Sequence, residues 1–154
     1  KIRSILKSAI NEVVDEIRAM QQSNGVRLTN IIVDEDGVGG GVVDYMRCRG
    51  FVNNSKAIKG ENYQNLKTQC YYKLADLINT AQIGIDSTDI NIKNNIIEEL
   101  EQVRTKDADK DNKLQIIPKD LIKDIIGRSP DYADALAMRM YFEIDGNYGK
   151  YFVQ

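Results

Sequence analysis

Three aspartates carry the chemistry this sequence offers. Asp34 follows the apolar run Ile31-Ile32-Val33 and precedes Glu35-Asp36 and the stretch Gly37-Val38-Gly39-Gly40-Gly41. An acid where an apolar strand ends stands on the side from which open α/β sheets face their ligand crevice. It reads equally as a charged residue leaving the core, or as a cap on the glycine turn. Asp131 and Asp134 lie in Ser129-Pro130-Asp131-Tyr132-Ala133-Asp134-Ala135-Leu136. Three residues apart, they share a helical face. Ser129 suits an N-cap and Pro130 a first helical position, so Asp131 can simply complement the helix dipole. Asp134 is harder to explain that way, because two carboxylates on a half-buried face repel unless a proton or cation intervenes. Together the three could coordinate one or two magnesium ions and support in-line phosphoryl displacement.

The rest of the composition narrows the options. The 154 residues contain no His, which removes His-based nucleophile activation, general acid/base chemistry and most catalytic zinc sites. Cys48 and Cys70 form no CxxC and cannot build a zinc site alone; a reduced, intracellular chain is the simpler reading, although one disulfide is open to them. What remains is carboxylates, Lys, Arg, Tyr and backbone, and carboxylates suit hard cations such as Mg2+ or Mn2+. Lys plus Arg is 21 against 23 Asp plus Glu, a net charge of −2, which argues weakly against nucleic-acid binding but leaves room for a local basic face. No stretch approaches the roughly 18–20 apolar residues of a membrane span, and no signal-peptide pattern is present. The chain opens on Lys1 rather than Met, as a fragment would.

The elements that must position the acids follow from periodicity. Apolar residues at three- and four-residue steps predict a helix over 2–22, closed by Asn24-Gly25. Leu28 to Val33 predicts a buried parallel strand, and Gly41 to Arg49 a helix stopping at Gly50. A short strand is expected near Ala57-Ile58. A helix over about 62–80 should bury Leu66, Cys70, Leu74, Leu77 and Ile78, and Ile92–Leu100 should form another. Glu101–Asp107 and Lys113–Ile117 read as strands around a polar turn at 109–112. Lys119–Ile126 reads as a short helix closed by Gly127. Ser129 begins a helix running to about Glu143, and the tail over 144–154 is irregular. The order is α/β grammar, in a single domain over 1–154 without repeats or a visible boundary.

Two motif matches fail on inspection. A dinucleotide loop begun at Gly37 needs Gly at position 42, where Val42 stands, and Asn53 and Asn54 occupy the region of the ribose-binding acid. No GK[ST] is present for a P-loop. Asp107-Ala108-Asp109-Lys110-Asp111 mimics the start of an EF-hand, but Asn112 and Pro118 replace the required Gly and Glu.

The segment Ile31 to Val42 resembles the strand–Asp–GVG–helix segment in the C-terminal nuclease domain of phage terminase large subunits. Gly127-Arg128-Ser129-Pro130-Asp131-Tyr132-Ala133-Asp134-Ala135-Leu136 looks like the GRSPDxADAL segment near the end of that domain. Between them, Asn62 to Ile78 is similar to the family's tyrosine-containing helix, and Lys119 matches a Lys upstream of the SPD motif. The resemblance covers about residues 1–143, with both motifs in order and about a hundred residues apart.

It implies a ribonuclease-H-like mixed sheet flanked by helices. The implied activity is a Mg2+- or Mn2+-dependent endonuclease that cuts concatemeric double-stranded viral DNA in the cytoplasm of an infected bacterium. Asp34, Asp131 and Asp134 would be its catalytic and metal-binding acids. The implied partners are an ATPase domain of the same protein, the small terminase subunit and the portal, with no membrane. The family's fold opens with antiparallel strands, the first bearing another metal-binding Asp. The only Asp before Asp34 here is Asp15, in a helix, so those strands are expected to be missing from an N-terminally truncated chain. Arg47, Arg49, Lys119, Lys123 and Arg128, near the motifs in sequence, are candidates to meet the DNA backbone, or are ordinary solvated cations. Two other readings use the same residues: another ribonuclease-H-like nuclease, such as a Holliday-junction resolvase, and an inactive truncated docking domain.

Overall fold

The computed structural model describes residues 9–85, 87–106 and 112–146. They fall into two compact units, one ending at Asn53 and the other beginning at Asn54. The seam lies in the polar, turn-rich stretch after Val52, which the sequence reading treats as an ordinary loop within one domain. Each unit has its own buried set, which apolar periodicity alone does not apportion.

In the first unit, α1 (Ile10–Ser23) is entered at Ala9, whose amide donates to the Glu12 carboxylate at 2.9 Å. Asn24 caps its far end, as expected. The apolar run that follows is not one strand. Leu28–Asn30 forms a 3-10 turn, and β1 occupies only Ile32–Asp34. It pairs in parallel with β2 (Arg49–Phe51), Ile32 opposite Arg49 and Asp34 opposite Phe51. Between them runs α2 (Gly39–Met46). Arg49 and Gly50, expected in a helix and at its end, are therefore strand residues. The helix stops earlier because Arg47 takes the left-handed conformation (φ 53°), its amide returning to the Val43 carbonyl at 2.8 Å. Glycine usually fills that position, and an L side chain there costs about 1–2 kcal/mol. Val14, Val42 and Met46 form the core, with Val13, Ile17, Leu28, Ile31, Val33 and Cys48 packed around it.

The second unit is mainly helical. Its first turn, Ile58–Gly60, is 3-10 rather than the short strand expected there. Helix α3 (Leu66–Asn79) is capped by Asn65, whose side chain accepts from the Thr68 amide at 2.9 Å. Helix α4 (Ile90–Glu101) is capped by Asp89. The expected strand pair shrinks to β3 (Thr105–Lys106) and β4 (Gln115–Ile116), which pair antiparallel. The EF-hand mimic at 107–111 lies outside the described residues. Helix α5 (Lys119–Ile126) ends at Gly127 in the left-handed conformation, as the sequence indicates. Helices α6 (Asp131–Arg139) and α7 (Tyr141–Asp145) are separated at Met140, so the single long helix expected here is two. Helix α6 packs against α3 and α4, presenting Ala133 and Ala137, both buried. Of the stripe predicted on α3, Leu66, Cys70 and Leu74 are buried, but Ile78 is exposed.

The fold class is thus mixed α/β. Among the described residues the strands form two separate two-stranded sheets rather than one mixed sheet. No described helix is long and apolar enough to cross a membrane.

Candidate active site

Asp34 is the last residue of β1, half-buried, at the carboxyl ends of two parallel strands. Its Oδ1 accepts from the Asp36 amide and from Asn53 Nδ2, both at 3.1 Å. Asn53 also donates from Nδ2 to Asp36 Oδ2 at 2.7 Å and from its backbone amide to the same oxygen at 3.1 Å. Asn53 stands two residues past β2 and so clamps the turn that follows β1. The glycines have a local cause. Gly37 (φ 73°) lets the chain reverse after Asp36. A Cβ on Gly39 would lie 1.7 Å from the Asp34 carbonyl oxygen, so only glycine lets α2 start this close to the acid. The run is packing around Asp34 and needs no nucleotide to explain it.

The helix pair separates in character. Asp131 is 79% exposed, whereas Asp134 is 14% exposed. Asp134 Oδ1 meets Lys67 Nζ at 2.6 Å and accepts from the Tyr71 hydroxyl at 2.7 Å. Its Oδ2 accepts from Lys119 Nζ at 2.6 Å. Lys67 and Tyr71 are one turn apart on α3. Lys119 opens α5, where the helix dipole disfavours a cation, and Asp134 offsets that. Lys119 also reaches Asp131, at 3.8 Å. The cation demanded by two nearby carboxylates is present here as an ammonium group. Burial, the strongest single influence on Asp134, would raise its carboxyl. The charge of Lys67 and the hydrogen bonds from Lys119, Lys67 and Tyr71 outweigh it and hold the carboxyl below its ordinary value. Burial, then the Asp134 charge, push the Tyr71 phenol upward.

The start of α6 is held from outside. Ser129 does not cap it; Pro130 occupies the cap position with no side-chain bond. Instead Glu99 of α4, fully buried, accepts the Ala133 amide at 2.7 Å on Oε2 and pairs through Oε1 with Arg128. A carboxylate distant in sequence thus does the work of a local cap. Arg128 is further engaged by Glu98 at 2.8 Å and by the Asn95 side chain at 3.3 Å. These bonds tie Arg128, a candidate DNA contact, to α4. Lys123 is exposed and pairs with Asp120 at 3.6 Å. Arg47 and Arg49 line one cleft of the first unit.

Sequence reasoning missed Asn53, Lys67, Tyr71 and Glu99. The spacing Ile92, Ile96, Glu99 places the glutamate on the apolar face of α4, and that signal was available. Both cysteines are free, and burial pushes the Cys70 thiol up to about 12.

Within either unit, among the described residues, no three acidic, His or Cys side chains come together to hold a metal ion. The donor chemistry does suit a hard cation: Asp34 and Asp131 are carboxylates, the first half-buried and the second largely exposed. Both oxygens of Asp134, by contrast, are already satisfied by ammonium and phenol groups.

No known protein-family profile matches the chain, and no curated protein does. Its structure is similar to the nuclease domain of the large terminase subunit gp2 of bacterial virus Sf6. The TM-score is 0.68 at 22% identity, over 88% of this chain and 74% of that one. At that identity the likeness establishes a shared fold.

Proposed function

We propose that this chain is the nuclease domain of a phage DNA-packaging terminase, a ribonuclease-H-like, Mg2+- or Mn2+-dependent endonuclease acting on double-stranded DNA. The observation that carries the reading is the fold shared with the Sf6 gp2 nuclease domain over nearly all of this chain. Double-stranded DNA, an ATPase domain of the same protein, the small terminase subunit and the portal are its proposed partners, in the cytoplasm of the infected host.

Asp34, Asp131 and Asp134 are the proposed ligands. The bound ion supplies Lewis acidity for phosphodiester hydrolysis. Asp34 is suited to hold it because Asn53 and the Asp36 amide fix its carboxylate through one oxygen. Asp131 is largely exposed, with Lys119 3.8 Å away, and is accessible to an ion from solvent. Asp134 is kept ionised by Lys67 and Lys119, and Lys119 or Lys67 must release it before it can ligate.

Titration calorimetry with Mn2+ tests the ligand set without relying on activity. Wild-type protein is expected to bind, and Asp34→Asn and Asp131→Asn each to weaken binding about tenfold or more. Equal affinity in all three proteins would remove both residues from the site.

A further inference from the structure

We propose that Asn53 is a positioning residue that sets the cation selectivity of Asp34, favouring Mg2+ or Mn2+ over Ca2+; the inference rests on the proposed nuclease site. Strand pairing brings the two residues together. Past Asp34 the ladder continues by one bond, from the Glu35 amide to the Phe51 carbonyl at 2.9 Å. Asn53, two residues beyond Phe51, is thereby held beside the turn at 34–36. It is half-buried. Its Nδ2 donates to Asp34 Oδ1 at 3.1 Å and to Asp36 Oδ2 at 2.7 Å. An amide nitrogen carries two hydrogens, and both are used here. One neutral nitrogen therefore stands between oxygens of two carboxylates, a place that otherwise favours a cation.

The consequence is a division of the oxygens. Both hydrogen bonds to the Asp34 side chain end on Oδ1, and both to the Asp36 side chain end on Oδ2. Asn53 thus keeps Asp36 from sharing an ion with Asp34, and it opposes the use of both Asp34 oxygens at once. Mg2+ and Mn2+ suit that arrangement. They take about six oxygens in near-octahedral order, and Mg2+ keeps several waters and needs only one or two carboxylates. Ca2+ takes about six to eight oxygens and draws on bidentate carboxylates, so it loses most when an oxygen is withheld. Backbone amides hold the same two oxygens independently. The Asp36 amide donates to Asp34 Oδ1 and the Asn53 amide to Asp36 Oδ2, each at 3.1 Å. Removing the Asn53 side chain alone therefore spares the turn and takes away only the bridge.

Titration calorimetry compares Mn2+ and Ca2+ binding by the whole chain as wild type, as Asn53→Ala, and as Asn53→Ala combined with Asp36→Asn. The wild type should prefer Mn2+. In Asn53→Ala the ratio of Mn2+ to Ca2+ affinity should fall about tenfold, through stronger Ca2+ binding. Adding Asp36→Asn should restore most of the ratio, because the second carboxylate is then gone. Asn53→Asp, the same shape without a donor, should shift the ratio further in the direction of Asn53→Ala. A thermal midpoint taken without metal checks that each variant is folded. A merely structural role would weaken both ions alike. An unchanged ratio in both Asn53→Ala and Asn53→Asp would overturn the proposal and leave the cation site at Asp34 standing. A wild-type preference for Ca2+ would overturn it as well. Absence of Mn2+ binding by the wild type would remove the cation site itself, and the proposal with it. The predicted shift in a chain that binds Mn2+ without cutting DNA would uphold the role of Asn53 and remove the nuclease reading.

Discussion

Glu99→Ala is expected to lower the free energy of unfolding by about 3–4 kcal/mol, the cost typical of removing one partner from a buried ion pair. The carboxylate is fully buried and engaged on both oxygens, by Arg128 and by the Ala133 amide. Its removal leaves an uncompensated guanidinium, an orphaned helix amide and a cavity between α4 and α6. Glu99→Gln keeps one acceptor and should cost roughly half as much. Glu98 is half-exposed, and Glu98→Ala should cost under about 0.5 kcal/mol although it binds the same arginine. Urea denaturation followed by circular dichroism separates the three. A loss below about 1 kcal/mol for Glu99→Ala would contradict the view that this residue fastens the start of α6. Because α6 carries Asp131 and Asp134, the same contact fixes where those acids are presented.

Asp134→Asn is expected to cost about 2–3 kcal/mol at pH 7, since it leaves the Lys67 and Lys119 ammonium groups facing an amide. The pH dependence identifies the cause. The folded carboxyl lies below its unfolded value of about 3.9, so its contribution is complete above that pH and is lost as pH falls through the folded value. The stability gap between wild type and variant should stay constant from about pH 5 to 8 and close below about pH 4. Tyr71 acts at the other limit. Its folded phenol is raised, so its contribution is lost as pH rises above the unfolded value of about 10. A gap that persisted unchanged at acid pH would mean that Asp134 acts through packing rather than through its charge.

These two acids show what spacing reveals and what it conceals. Asp34 was legible because Ile32-Val33 end in a carboxylate just before a glycine run. The pairing of Asp131 with Asp134 was legible as a three-residue interval. Their different fates were not, because Lys67, Tyr71 and Lys119 reach Asp134 only through the packing of α3 and α5. Helix α5 was legible to the residue, since Gly127 closes it in the conformation glycine favours. The end of α2 was misplaced for the converse reason: Arg47 takes the left-handed position and no glycine marks it. Strand β2 carries Arg-Gly-Phe, a triplet without alternation, and only its pairing with β1 makes it a strand. Ser129 had the composition of a helix cap, but Glu99 satisfies the Ala133 amide in its place.

The most direct test of the nuclease reading is nicking of supercoiled plasmid by the whole chain with Mn2+, beside Asp34→Asn and an EDTA control. The expected result is open-circular and linear product with Mn2+, none in EDTA, and a rate lower by about a hundredfold or more in the variant. Cleavage that persists unchanged in Asp34→Asn, or no cleavage by the wild-type chain with Mn2+, would contradict it.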